Sequence, residues 1–411
     1  MQYEARLPYF YDMNSILFDD QHSEQLLPFT YTRPVGTFLV GIWTIREKWE
    51  SALGRSVSFK PYRAYLSKKF AEITGFDNQY INGAVLPDGN LVAAIAALGM
   101  QQSLTKAGRV LALRSSVAIE KFEIAALQAS GFKTIEFPSE TRMLQYPEDV
   151  FRLNGEEIKQ DFEVITRGRV SAGCDATNRL IASEQIFIEA GAKLCCATIN
   201  ASDGPVYIAA DAEIMEGATI KGPFFLGEHS TIKMGAKIYG DTSIGPHCKI
   251  GGEVNNSVIF GYSNKGHDGF MGNSVIGEWC NWGAGTSNSN LKNNYEIVKL
   301  WDQVTGRFRS TGLQFAGLMM ADHAKTGINT MFNTGTVVGV GANIFGAGFP
   351  RNFLPCFAWG GAQGIETFRF NKFVQTAEKV MERRGMDFDE VEKTILQAVY
   401  DETVLQRTWE K

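Results

Sequence analysis

The chain has 411 residues, enough for two or three domains with a sizeable core. Hydrophobic residues make up 44% and charged residues 21%, ordinary globular usage that excludes disorder and collagen-like fibre. A net charge of −5 argues against a dedicated nucleic-acid binder, and apolar stretches such as Leu91–Met100 are too short to span a bilayer.

The first residues carry Glu4 and no apolar run of the kind a signal peptide needs. Ser15–Phe18 is an apolar run ending in Asp19 and Asp20, which predicts a buried strand. Val40–Trp49 predicts a helix with Ile42, Ile45 and Trp49 on one side. Tyr80–Val85 predicts a second strand. Asn90–Leu98 predicts a helix after the Pro87-Asp88-Gly89 turn. Arg109–Leu113 and Lys133–Phe137 predict further strands. This alternation implies an α/β domain with a largely parallel sheet. Gln160–Ala182 is polar without a clear period and is assigned to an interdomain linker.

From Ile208 the chain repeats every sixth residue: Ile208, Ile214, Ile220, Leu226, Ile232, Ile238, Ile244 and Ile250. The fourth residue after each is mostly small, as at Ala212, Ala218, Ser230, Ala236, Thr242 and Cys248, with Phe224 the exception. Helices repeat near 3.6 residues and strands at 2, so neither explains a strict six. A short strand followed by a tight corner does, with the Ile inward and the small residue in the corner. Stacked coils of this kind make a parallel β-helix. The phase then slips, with Val258, Phe270, Ile276 and Trp282 in the new register and Asn264 and Asn288 at its polar positions. Phe332, Val338 and Ile344 resume it after an insertion around Tyr295–Ser310, expected to project as a loop and to be a place for a site. Asn371–Arg384 predicts a helix stopped at Gly385, and Phe388–Trp409 another, started near Asp387 with Glu390 at capping-box spacing. This tail is expected to cap the open end of the β-helix or to form a subunit contact.

Gly266–Asn290 reads GHDGFMGNSVIGEWCNWGAGTSNSN. Gly266-His267, Gly272, Gly277, Asn281, Gly283-Ala284-Gly285-Thr286 and Asn290 resemble, without a gap, the acetyltransferase segment of the bifunctional GlmU-type family. That family combines N-acetylglucosamine-1-phosphate uridylyltransferase with glucosamine-1-phosphate N-acetyltransferase. Lys325-Thr326-Gly327-Ile328-Asn329 resembles a segment of its archaeal and alternative bacterial forms, and LLPFTYTRPVGTFLVGIWTIREKWE resembles their N-terminal segment. The hexads resemble left-handed β-helix acyltransferases, and the handedness is implied by that resemblance alone.

Acetyl transfer from a thioester to a sugar amine requires a neutral amine. A His titrates in the working range and can take the ammonium proton. His267 is the candidate, between Gly266 and Gly269, which let the backbone approach a ligand. A backbone N–H in the Gly283–Gly285 turn suits the tetrahedral oxyanion, and the resemblance points to Ala284. Asn281 and Asn290 suit hydrogen bonds to the sugar. Coenzyme A would lie along the outer coils near Gly327, Ile328, Asn329 and Gly346. His229 and His247 read as turn residues, and His323 stays open. With no close pair among the five His in sequence, no carbonic-anhydrase-type zinc site is expected. The six Cys, including Cys195-Cys196, show no CxxC pair and read as small core residues in a reduced, cytoplasmic protein.

The chain departs from the family pattern in places. Phe270 stands where the family has Tyr, and Asn273 where it has Asp. Where the classical form has a phosphate-binding Lys before the His, this chain has Asn255-Asn256, leaving Lys265, Lys249 or Lys292 for that charge. The N-terminal segment lacks the Gly-rich loop and the Lys after Pro28, and Ala84 stands where a Mg²⁺-binding Asp is expected. Asp19, Asp20 and Asp88 are the remaining candidates for Mg²⁺ or nucleotide contact and Arg33 for phosphate, and the metal ligands stay unassigned.

The expected architecture is a nucleotidyltransferase-like α/β domain over 1–165, a linker over 166–185, a left-handed β-helix over 186–355 and a helical tail over 356–411. The implied activity is acetyl-CoA-dependent N-acetylation of glucosamine-1-phosphate, followed by uridylyl transfer from UTP with Mg²⁺, in a homotrimer without nucleic-acid or membrane partners. Two rival readings remain at this point. One is a nucleotidyltransferase for another hexose with the β-helix as trimerisation platform, and the other is a non-catalytic nucleotide-sugar-binding scaffold.

Overall fold

A computed structural model describes residues 13–410. They pack as two compact units: residues 13–21, 34–36 and 45–143 form one, and residues 22–33, 37–44 and 144–410 the other.

The first unit is a six-stranded sheet with helices. Its strands are β1 (Asn14–Phe18), β2 (Val57–Lys60), β3 (Asn78–Asn82), β4 (Gln102–Lys106), β5 (Arg109–Ser115) and β6 (Lys133–Glu136), in the order β2-β1-β3-β5-β4-β6. The apolar run of β1 is buried because it lies inside the sheet between β2 and β3, both parallel to it. β4 and β6 are also parallel, but β5 runs antiparallel to both its neighbours. The expected largely parallel sheet is therefore mixed. Ala107 and Gly108, both at positive φ, fold β4 back on β5 as a tight hairpin. Helices α1 (Ile45–Leu53), α2 (Gly89–Ala96) and α3 (Ile124–Ala129) complete this unit. α1 begins later than expected and is pinned by Trp49, whose indole N–H donates to the Val85 carbonyl at 2.8 Å.

The second unit is a left-handed parallel β-helix, with helices and loops packed on it. Its three faces are parallel ladders of short strands, nine of them on one face alone. In the regular coils Val206–Ile208 pairs with Phe224–Leu226, and that strand with Thr242–Ile244, so three hexads close one coil. All eight hexad residues from Ile208 to Ile250 are at most 2% exposed and stack in columns. The small residues at the fourth positions are buried in the inner corners, and Phe224 is accommodated there too.

Just beyond Ile250 the inward register differs from the expectation by one residue, at Val258, Asn264 and Phe270. Ile259 stacks on Ile244, Lys265 on Ile250 and Met271 on Val254, whereas Phe270 faces outward and is half-buried. The shift follows from the short Gly251-Gly252 turn, after which Val254 already fills the column. Ile276, Trp282, Phe332, Val338 and Ile344 are inward as expected.

Helix α4 (Glu148–Thr166) packs on the long β-helix face, so the stretch expected to be a linker from Gln160 to Ala182 begins as the last turns of a helix, as far as Thr166. By packing, α4 goes with the β-helix rather than with the sheet. Gly155 permits this approach, because a Cβ there would collide with the Asp241 carboxylate. The insertion is an antiparallel hairpin, Lys299–Asp302 with Arg307–Ser310, held by Arg309 in a two-pronged 2.6 Å contact with the Glu148 carboxylate. Two helices end the chain, α5 (Phe370–Glu382) and α6 (Glu390–Glu402). The α6 cap is Asp389 rather than Asp387: its carboxylate accepts the Glu392 N–H at 2.8 Å. Among the described residues no helix is long and apolar enough to cross a membrane.

Candidate functional site

His267 and Ala284 sit one above the other because consecutive coils stack. The Gly285 N–H donates to the Asp268 carbonyl at 2.9 Å, and the Phe270 N–H to the Ser287 hydroxyl at 3.0 Å. The GAGT turn is fixed from inside. Thr326 Oγ1 accepts the Gly283 N–H at 3.0 Å, and Thr286 Oγ1 lies 3.0 Å from the same hydroxyl. The Ala284 carbonyl accepts the Asn329 N–H at 2.8 Å, while the Ala284 N–H has no acceptor among the described residues.

These residues open on a cavity of about 560 Å³. His267, Asn281, Ala284 and Ile328 all line it, and the exposed His267 imidazole has no hydrogen-bond partner among the described residues. The rings of Tyr262 and Trp279 bound it on one side, and Lys233, Lys249, Arg383 and Arg384 on another. Gly327 and Asn329 belong to the coil packed directly on the GAGT turn, and Gly346 to the coil after that. The insertion hairpin, expected to carry a site, lines a separate cavity through Trp301 and Phe308.

Three other sequence-derived candidates lie elsewhere. Asn290 donates its amide to Asn273 Oδ1 at 2.7 Å, on the face that also carries Phe270, and neither lines the cavity. Lys265 occupies a core column, 2% exposed, and its ammonium donates to the Gly251 and His267 carbonyls at 2.8 and 2.9 Å. Burial pulls its pKa down to about 8, against the raising effect of Asp268 and Glu253. It therefore braces the His267 segment from within, where a surface phosphate contact had been expected.

Sequence reasoning missed a ladder of rings along one corner. His229, His247, Tyr262, Trp279 and His323 stack in turn, with centroids 4.9, 4.9, 4.4 and 6.2 Å apart. All five have φ between 55° and 60°. The recurrent aromatic or imidazole at the corner position was the available signal. It also brings together two His, His229 and His247, that are apart in sequence. No group of three or more His, Cys, Asp or Glu able to hold a metal occurs among the described residues. Cys195 and Cys196, expected in the core, are exposed at another corner, whereas Cys248, Cys280 and Cys356 are buried.

The candidates for nucleotide contact are each engaged. Asp19 directly follows β1 with 7% exposure, accepts the Val35 N–H at 3.2 Å, and has its pKa raised to about 8, mainly by burial. Asp20 is paired with Arg109 and Asn82, and Asp88 caps α2 through the Asn90 and Leu91 N–H groups. Arg33, expected to meet a phosphate, is buried between Glu278 and Asp322 at 2.9 and 2.5 Å. These residues do not by themselves assemble a Mg²⁺ ligand set.

Residues 15–170 match the family model described as sugar nucleotidyl transferase. A bifunctional sugar-1-phosphate nucleotidylyltransferase/acetyltransferase of Sulfurisphaera tokodaii is 40% identical over 144 residues, 34% of this chain and 35% of the relative. The bifunctional protein GlmU of Methanocaldococcus jannaschii is 34% identical over 87 residues, 21% of each chain. The match thus spans about a third or less of the length of these relatives. Over residues 15–170 the chain thus matches the sugar nucleotidyl transferase family model, and over part of its length it is similar to these two bifunctional proteins.

Proposed function

We propose that the β-helix unit transfers the acetyl group of acetyl-CoA to the amine of glucosamine-1-phosphate. The observation that carries this is the convergence of an exposed imidazole (His267), an unpaired N–H (Ala284) and a neutral amide (Asn281) on one cavity. In the reaction His267 accepts the proton that the ammonium must lose, and the nitrogen lone pair attacks the thioester carbonyl. The carbonyl becomes an oxyanion that the Ala284 N–H stabilises. When it collapses, the C–S bond breaks and coenzyme A leaves as a thiolate, which takes the proton held by His267, while the second proton of the attacking nitrogen passes to solvent as the amide forms. Asn281 orients the sugar.

The product is then coupled to UTP by the N-terminal unit, giving UDP-N-acetylglucosamine and pyrophosphate. The family match over 15–170 supports this second step, and Mg²⁺ is the metal such chemistry uses. The working form is a homotrimer in the cytoplasm, a setting that suits six unpaired thiols. The test is incubation with glucosamine-1-phosphate, acetyl-CoA, UTP and Mg²⁺, following free thiol and pyrophosphate separately. Thiol release that His267→Ala lowers by about 10²–10⁴-fold is expected. Pyrophosphate release without thiol release would leave only a nucleotidyltransferase, and neither product would leave a binding protein.

A further inference from the structure

Two exposed thiols at an early corner of the β-helix take no part in the proposed transfer. Cys195 and Cys196 turn the chain between the strands Lys193–Leu194 and Thr198–Asn200. The Cys195 thiol donates to Cys196 Sγ at 3.8 Å, and both side chains are exposed. Three residues separate Leu194 from Thr198, whereas four separate their ladder partners Ile214 and Thr219 in the next coil. The corner is therefore one residue short, and Cys196 closes it at a φ of 48°. The next two coils place Gly217 and Gly235 at positive φ along this edge, at 73° and 68°. A residue with a β-carbon is strained in that region, and here the strain sets a second sulfur beside the first.

The pair borders a cavity of about 420 Å³ that shares no lining residue with the His267 cavity. Cys195 lines it together with two further sulfurs, those of Cys174 and Met215. Asp175, Glu213 and Glu216 line it as well, against Lys193 alone, so its field favours a cation. Two bonds of about 2.3 Å to one tetrahedral ion hold their sulfurs roughly 3.8 Å apart. The two thiols already have that spacing. Adjacent Cα atoms lie about 3.8 Å apart across a trans peptide, below the roughly 4.4–6.8 Å that a disulfide spans. The pair is thus better shaped to grip an ion than to close on itself. Thiolates select soft ions of the zinc class, whereas Mg²⁺ takes oxygen ligands. Among the described residues no third His, Cys, Asp or Glu completes a metal-holding group, so the remaining positions on the ion are open to water and the ion is exchangeable.

We propose that Cys195 and Cys196 form a chelating dithiol site for a soft divalent cation of the zinc class. On binding, two S–H bonds break, two sulfur–metal bonds form and two protons pass to solvent, with no oxidant required. The site is independent of acetyl transfer at His267.

The experiment uses the full chain, kept reduced, with Cd²⁺ as the probe because its bonds to thiolates absorb in the ultraviolet. Cd²⁺ is titrated alone and against Zn²⁺ or excess Mg²⁺. One ion per chain is expected, displaced by Zn²⁺ and indifferent to Mg²⁺. Losing a group that merely orients a ligand weakens a metal site by about 10–100-fold, so Cys195→Ser and Cys196→Gly, which remove a ligand, are each expected to weaken binding by about 100-fold or more. Cys196→Gly suits the positive φ and relaxes the backbone while it removes the thiol, so lost uptake in that variant is not a folding defect. The buried Cys248, Cys280 and Cys356 remain in both variants. Uptake that survives undiminished in both belongs to other thiols and overturns the proposal. So does a reduced parent that takes up no Cd²⁺ at one equivalent, or one from which Mg²⁺ displaces the ion as readily as Zn²⁺.

Discussion

Lys265 is the residue at which core and chemistry meet. It fills a column position that Ile250 fills one coil earlier, yet its ammonium holds the carbonyl of the proposed base. A Lys whose pKa is about 8 in the fold and 10.5 when unfolded binds fewer protons folded than unfolded between those values. Stability therefore rises with pH across that window and is flat below it. Lys265→Met, which keeps volume in the column, should flatten part of this rise in denaturant midpoints measured from pH 7 to 10.5. Lys325, also lowered to about 8 by burial, sustains the remainder. The same variant should lower acetylation by loosening His267. Unchanged activity together with an unchanged pH profile would show that the ammonium braces nothing. That His267, Asn281 and Ala284 share one cavity could be anticipated because they lie in one gapless motif. Lys265 was not, since a Lys in a motif reads as a surface charge until the column it fills is seen. Arg33 misled for a related reason: its Glu278 and Asp322 partners lie far along the chain.

At the scale of elements, each coil contributes three inward side chains. Ile232 is fully buried between Ile214 and Ile250. Ile232→Ala should cost about 2–5 kcal/mol, read as a drop in denaturant midpoint, since stacked coils leave little room to collapse around the gap. The hexads were legible for the reason that makes them stable, one branched apolar residue per face. α4 escaped notice because much of its buried side is polar. Asn154 accepts the Gly41 N–H at 2.7 Å, Asp161 accepts the Ile42 N–H at 2.8 Å, and Glu148 holds Arg309. Such a helix leaves no apolar period to read. β2 and β4 were missed because they are short and carry Ser, Lys, Gln and Thr among their apolar residues.

Across the whole molecule, the two units differ in how contacts are distributed. The sheet unit joins strands distant in sequence, whereas each coil of the β-helix touches mainly its neighbours. Amide exchange should then be slowest in the regular coils of 206–250 and faster in the first coil, around 179–194, which has a neighbour on one side only in its ladders. Uniform protection along the β-helix would contradict this. The two-part organisation was legible from the switch in periodicity. The mixed sheet was not, because a turn such as Ala107-Gly108 can be assigned only once its backbone is known.

The ring ladder has a consequence for how the protein tolerates added length. Trp279 and His323 are consecutive rungs although the insertion hairpin lies between them in sequence. The extra residues leave the prism at another vertex and return without changing its axial rise. New segments can thus be grafted at that vertex while the strands on either side stay directly paired, Val275 with Met319 and Ile276 with Met320.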